Sequence, residues 1–166
     1  ELAHALATHA DPAPIVTTLV SAARALAAGV PLLAVRIPVP FAIERDDDLL
    51  RRLLGAWPPA IRLALELADP TWDDDEVHAR LRAHGVALVA TDPGGEAPVV
   101  RRIAPFLYVR LMGRDPDAEE LGRWADRLAP FLADGVDAFV VVRGGATVAA
   151  ELVALLGRQV EGVGRG

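Results

Sequence analysis

Five short runs rich in Val, Leu and Ile, at 32–37, 62–67, 86–90, 107–111 and 139–143, are each bounded by Gly, Pro or Asp and read as strands. Segments of helical spacing separate them. The clearest places Leu121, Trp124, Ala125, Leu128, Phe131 and Leu132 on one face at steps of three and four. Asp115 as N-cap and Pro116 at the first position mark its start, Gly135 its stop, and Pro130 is placed to bend it. Asp46 to Asp48 open a second helix carrying Leu49, Leu50, Leu53 and Leu54, and Asp73 to Glu76 open a third that ends with Arg80, Arg82 and Gly85. Ile15, Val16, Leu19, Val20, Ala23 and Leu26 form a helix before the first strand, and Val148, Leu152, Leu155 and Leu156 one after the last, with 162–166 expected to fray. Right-handed crossovers are strongly preferred between such strands, so the reading is an α/β fold of five parallel strands alternating with helices. An eight-unit barrel needs about 250 residues. The 166 residues here are therefore expected to form a single domain over 1–166, either an incomplete TIM-barrel-like sheet or an open doubly wound one.

Composition excludes several classes of function. Acidic residues outnumber basic ones 23 to 17, for a net charge of -6 and a pI near 5.2. No electrostatic footprint draws such a chain to nucleic acid or to an anionic membrane. The basic residues are all Arg, which suits a GC-rich genome more than a particular function. With no Cys there is no disulfide framework, zinc-thiolate site or thiol nucleophile, and a cytoplasmic location is expected. The most apolar stretch, 25–37, is broken by Gly29, Pro31 and Arg36 and is too short to span a bilayer. No signal peptide is visible ahead of Glu1, and the chain is open to being part of a longer one.

Charge appears where a buried parallel strand should be apolar: Arg36, Glu66 and Arg110 lie in mid-strand. Alternation sorts the side chains into two layers. Leu33, Val35, Ile37, Leu63, Leu65, Leu67, Val109 and Leu111 form an apolar layer, while Ala34, Arg36, Ala64, Glu66, Ala68, Tyr108, Arg110 and Met112 form the other. With helices on the apolar layer, Arg36, Glu66, Tyr108 and Arg110 are expected to converge on the opposite face. Glu66 should then accept from Arg36 or Arg110, because an isolated buried charge is costly. Two guanidinium groups against one carboxylate leave positive charge over, suited to a phosphate or carboxylate ligand. A self-satisfied ion-pair network is the equal alternative. Gly144 and Gly145 join the last strand to a helix N-terminus and form a candidate anion cradle, although an ordinary βα turn is the simpler reading.

The remaining chemistry-bearing residues read as structural. Asp69 and Asp92 follow strands but stand in turn-forming contexts, Asp69-Pro70 and Asp92-Pro93-Gly94-Gly95. The acidic clusters read as helix-dipole partners, so no metal or cofactor is expected. His4 and His9 lack metal-ligand spacing, and His78 and His84 are expected in solvent or capping a helix end. Ser21 lies in a helical pattern without a nucleophile elbow. Trp57, Trp72 and Trp124 read as packing anchors.

Glu66-Leu67-Ala68-Asp69-Pro70-Thr71-Trp72, the acidic helix after it, and His84-Gly85-Val86-Ala87 resemble the YecE-like family, domain of unknown function 72, whose wording is Glu-Phe-Arg and then Pro-Ser-Trp. Tyr108-Val109-Arg110-Leu111-Met112-Gly113 resembles that family's Tyr-Val-Arg-Leu-His-Gly, and the helix with Glu120, Leu121 and Trp124 follows as it does there. Pro38 and Phe41 are similar to an earlier Gln-Leu-Pro-Pro-Ser-Phe stretch, and the resemblance covers about 31–156. It implies a TIM-barrel-like fold and no established reaction. The family's Arg is Ala68 here, its His is Met112, its Gln is Arg36, and its Phe-Asn-Asn-Asp block is Val142-Arg143-Gly144-Gly145. Its first strands, with their Gly-Thr-Ser-Gly-Trp opening, have no counterpart before Ala10. The resemblance therefore implies a diverged, non-catalytic relative, with an enzyme or small-anion binder as the alternative. The exposed first-strand edge is expected to be covered by a second copy, another partner or an upstream segment.

Overall fold

The computed structural model describes residues 12–27, 34–92, 98–113 and 116–163. Helix α1 spans Ala13–Ala27, followed by β1 at Ala34–Val39, α2 at Asp47–Ala56 and β2 at Arg62–Leu67. A single 3-10 turn occupies Pro70–Trp72, and α3 covers Asp75–Ala83. Strand β3 is Ala87–Asp92 and β4 is Phe106–Leu111; α4 runs Ala118–Ala133, β5 is Asp137–Val142 and α5 is Gly145–Val163. The strands are hydrogen-bonded in the order β1-β2-β3-β4-β5 and every pairing is parallel.

That order decides between the two expected architectures in favour of the incomplete TIM-barrel-like one. A doubly wound sheet reverses its strand order at a switch point; here each strand is added beside the one before it, as in a barrel, and the sheet is left open rather than closed. Among the described residues, β1 and β5 have one partner strand each. The chain forms two compact units, Glu1–Leu88 and Val89–Gly166.

In the first unit, α2 supplies Leu49, Leu50, Leu53 and Leu54, all at most 5% exposed, at the spacing of one helix face. Ile37, Val39, Leu65, Leu67 and Trp72 adjoin Leu49, Leu50 and Leu53, which confirms the apolar layer of β1 and β2. Asp46 accepts from the Leu49 backbone N–H at 2.9 Å and so caps α2. Trp57 and Trp72 are buried, and their indole N–H groups donate to the Ile61 and Ile43 carbonyls at 2.7 and 2.8 Å. In α1, Val16, Val20 and Ala23 are buried at steps of four and three.

In the second unit, Leu107, Val109 and Leu111 of β4 pack with Leu121, Trp124, Ala125 and Leu128 of α4 and Leu152 of α5. The α4 cap is Asp117, which accepts from the Glu120 N–H at 2.8 Å; Asp115, the expected cap, lies outside the described residues. Pro130 is accommodated inside α4, which continues to Ala133. Helix α5 continues through Gly162 to Val163, past the expected end. His4, His9, Pro93, Gly94, Gly95 and residues 164–166 also lie outside the described residues.

One device returns the chain to the sheet in both units. After α3, Gly85 adopts φ 65° while its N–H donates to Arg82 and that of buried Val86 to Leu81, at 3.1 and 2.9 Å. After α4, Gly135 adopts φ 75° while its N–H donates to Leu132 and that of buried Val136 to Phe131, both at 3.0 Å. Each is a Schellman stop whose left-handed residue is glycine and whose next residue is a core valine.

The loops at the C-terminal ends of β1 and β2 are fastened together by Arg45. Its guanidinium meets Asp47 at 2.9 Å, Asp74 at 3.0 Å and Glu76 at 2.9 Å, and its backbone N–H donates to the Thr71 hydroxyl at 2.8 Å. The hydroxyl donates in turn to Asp69 at 2.6 Å, and Arg80 reaches Asp47 at 3.0 Å. The acidic clusters do open helices as expected, with Asp74 capping α3 through the Glu76 N–H at 2.8 Å. They also share one guanidinium, a tertiary use that local spacing does not encode. Hydrogen bonding to Arg45 holds Asp47 below the ordinary carboxylate value of 3.8. The Glu76 backbone N–H, aided by Arg45, does the same for Asp74.

Two glycine substitutions have opposite expected outcomes in urea unfolding. Gly135→Ala lowers stability by about 1 kcal/mol, because only the left-handed backbone opposes it; a Cβ there meets nothing within 4 Å. Gly122→Ala, in open space on α4, raises stability by about 0.5–1 kcal/mol through helix propensity alone. Depressed folded-state values for Asp47 and Asp74 mean that their contribution is complete above the unfolded-state value and is lost as pH falls through the folded one. The urea midpoint should therefore fall from about pH 5 to pH 3, and Arg45→Met should lower it at pH 7 while flattening that acid slope.

Candidate functional site

Arg36 and Glu66 stand on the second layer of β1 and β2, as expected from alternation. In the parallel register Arg36 lies opposite Ala64, and Glu66 is two residues further along β2, opposite Pro38. This is the diagonal neighbour position, within reach of a long side chain. Ala64, directly opposite Arg36, is small and fully buried, which leaves room for the guanidinium to reach along β2 to Glu66. Arg36 Nη1 donates to Glu66 Oε2, and the two side chains retain 28% and 15% of their exposure. The ion pair expected from the sequence is formed, and it is formed within the first unit.

Asp69, at the end of β2, is buried and accepts from both the backbone N–H and the hydroxyl of Thr71, at 2.9 and 2.6 Å. Its oxygen is committed to the 3-10 turn, which is the turn-forming role read from Asp69-Pro70. Ala68 and Met112, at the positions where the family resemblance puts Arg and His, directly follow β2 and β4. These strand ends are where parallel α/β folds collect ligand sites. The Arg45 network occupies the same end of β1 and β2, and the sequence reading missed it. Its partners Asp74 and Glu76 are about thirty residues away, so no local pattern announces it.

In the second unit, Tyr108 and Arg110 are half-buried on one layer of β4. That layer is more aromatic than expected. Tyr108 stacks on Phe139 with ring centres 6.1 Å apart, and Phe106, on the same layer, meets Phe139 edge-on at 5.7 Å. Gly144 and Gly145 adopt φ 97° and 75°, and Gly145 opens α5. Left-handed backbone at both explains why the turn uses two glycines. The neighbouring Arg143 donates from its backbone to Leu111 at 3.0 Å and from Nη1 to the Gly113 carbonyl at 2.7 Å, so it closes the turn onto the end of β4.

His78 departs from expectation. It is 8% exposed in the body of α3, with Nε2 3.3 Å from the Asp73 carboxylate, and not in solvent or at the helix end. His84 does cap α3, its Nδ1 lying 2.9 Å from the Arg80 carbonyl. Trp124 is a buried anchor with Arg127 4.9 Å above its ring. Among the described residues, no three His, Asp or Glu side chains cluster in a way that could hold a metal ion, and no helix is long and apolar enough to cross a membrane.

The chain is similar in fold to a DUF72 family protein of Thermotoga maritima, with a TM-score of 0.66 and 18% identity over 95% of this chain and 68% of that one. Two structures of a DUF72 family protein from Enterococcus faecalis give TM-scores of 0.69 and 0.68 at 13% identity, covering 93% and 95% of this chain and 68% and 72% of theirs. These neighbours have a TIM-barrel-like fold. No curated protein matches the chain. The family described as "Protein of unknown function DUF72" matches residues 3–165, nearly the whole sequence and both structural units, and the chain belongs to that family.

Proposed function

We propose that this chain is a diverged, non-catalytic member of its family, with a role in folding or in association through the edges of its open sheet. The Arg36–Glu66 ion pair carries the reading. A charge placed in the sheet to hold an anion is of most use when uncompensated, whereas the Arg36 guanidinium is offset by the Glu66 carboxylate it is bonded to. Asp69 is likewise given to Thr71, and Arg45 ties the surrounding loops together. Ala68 and Met112 supply a methyl group and a thioether where general acid–base work or anion binding would call for Arg and His. The edges of an open sheet, in contrast, present backbone donors and acceptors suited to pairing. A second copy of the chain or an upstream segment is the partner this reading implies.

Unfolding and ligand-dependent melting test it together. Arg36→Met and Glu66→Leu should each cost about 1–2 kcal/mol by stranding the other charge, while the two together should cost less than their sum. Millimolar phosphate or citrate should leave the melting temperature of the unaltered chain within about 1 °C. A rise of several degrees that Arg36→Met or Arg110→Met removes would overturn the non-catalytic reading and establish the anion-binding alternative.

A further inference from the structure

The two sheet edges are built differently. The Ala68 N–H donates to the Val39 carbonyl at 3.1 Å, so Val35, Ile37 and Val39 turn their backbone groups toward β2, and Ala34, Arg36 and Pro38 turn theirs outward. Pro38 thus removes a donor from the outer edge of β1, a standard way of blunting it. At the other side, the Arg143 N–H donates to the Leu111 carbonyl at 3.0 Å, so the odd-numbered residues of β5 face β4 and Ala138, Val140 and Val142 turn both N–H and C=O outward. That row has no proline and no charge. The side chains of Ala138, Val140 and Val142 line an aliphatic groove of about 210 Å³ with Leu132, Leu152 and Val153, and Val153 is 67% exposed.

We infer that the outer edge of β5 pairs with β5 of a second copy of this chain, antiparallel and two-fold about Val140. The inference rests on the association reading and names its partner and surface. With Val140 on the axis, Ala138 lies opposite Val142 of the partner subunit, and these outward-facing residues exchange both backbone hydrogen bonds, as Val140 does with its own copy. The charges select this register. Asp137 and Arg143 bracket the apolar run of β5, both are exposed, and each stands three positions from Val140. Two-fold pairing therefore sets Asp137 of each copy opposite Arg143 of the other, on the same face, and sets Phe139 opposite Val141, which is 40% exposed. A shift of two residues would lose both charge pairs. A self-complementary patch of this kind closes as a dimer.

Sedimentation velocity of the full chain over a concentration series should show a monomer–dimer equilibrium. Asp137→Arg places two guanidinium groups opposite each other at both pairs, Arg143→Asp places two carboxylates there, and each should weaken dimerisation about tenfold. Mixing the two variants restores both opposite-charge pairs, so the mixture should form a heterodimer, counted by native mass spectrometry, about as tightly as the unaltered chain associates. Local damage to the Arg143–Gly113 contact cannot produce that recovery. A chain monomeric up to about 0.1 mM overturns the inference, as does a mixture no tighter than its components. A dimer indifferent to both substitutions overturns this interface while leaving association intact, whereas a monomer stabilised by phosphate overturns the association reading itself.

Discussion

Glu66 stands inside a parallel strand, one residue from its C-terminal end, and the guanidinium of Arg36 makes that placement tolerable. A buried carboxylate without a partner costs several kcal/mol. The parallel register sets the solution: Ala64 opposite Arg36 is small and buried, and Glu66 is the next residue along that layer of β2. An ion pair of this kind seldom outperforms two well-packed aliphatic residues, so its presence points to specificity more than to stability. The same economy recurs at the strand ends, where Arg45 answers three carboxylates and Thr71 answers Asp69. Polar groups that could have met a ligand are turned on one another.

The fold was legible because its signals are local. Strand runs bounded by Gly, Pro or Asp, leucine spacing on α2, and the Gly85 and Gly135 stops all act within a few residues, and all five strands fall where those signals place them to within two or three residues. The layer assignment of Arg36 and Glu66 follows from alternation and needed only the register to become a contact. Less visible was whatever depends on distant partners. Nothing near Arg45 announces Asp74 and Glu76, which makes three acidic clusters look like separate helix caps when two of them are also joined. His78 was misplaced because helix position was judged from the basic end, whereas the side chain lies in the buried body of α3. The cap at Asp117 rather than Asp115 is the small boundary error that competing acidic residues invite.

Sequential strand order has a consequence that a doubly wound sheet avoids. When each strand is added beside the last, the first and last strands of the chain are also the two edges, and only closure or a partner removes them. DUF72 structures of greater length share this fold, and the present chain covers 68 to 72% of theirs. Among the described residues, the two edge strands differ in how open they leave their outer rows. Strand β1 carries Pro38 on its outward row and Arg36 beside it, which makes it a poor template for a further strand. Strand β5 has no such residue between Asp137 and Arg143, and its run of Phe139, Val140, Val141 and Val142 is the composition that pairs most readily. An edge left in that state either aggregates or has a specified partner. Opposite charges at its two ends favour specification, since they penalise parallel self-stacking, where like meets like, and reward only the antiparallel arrangement.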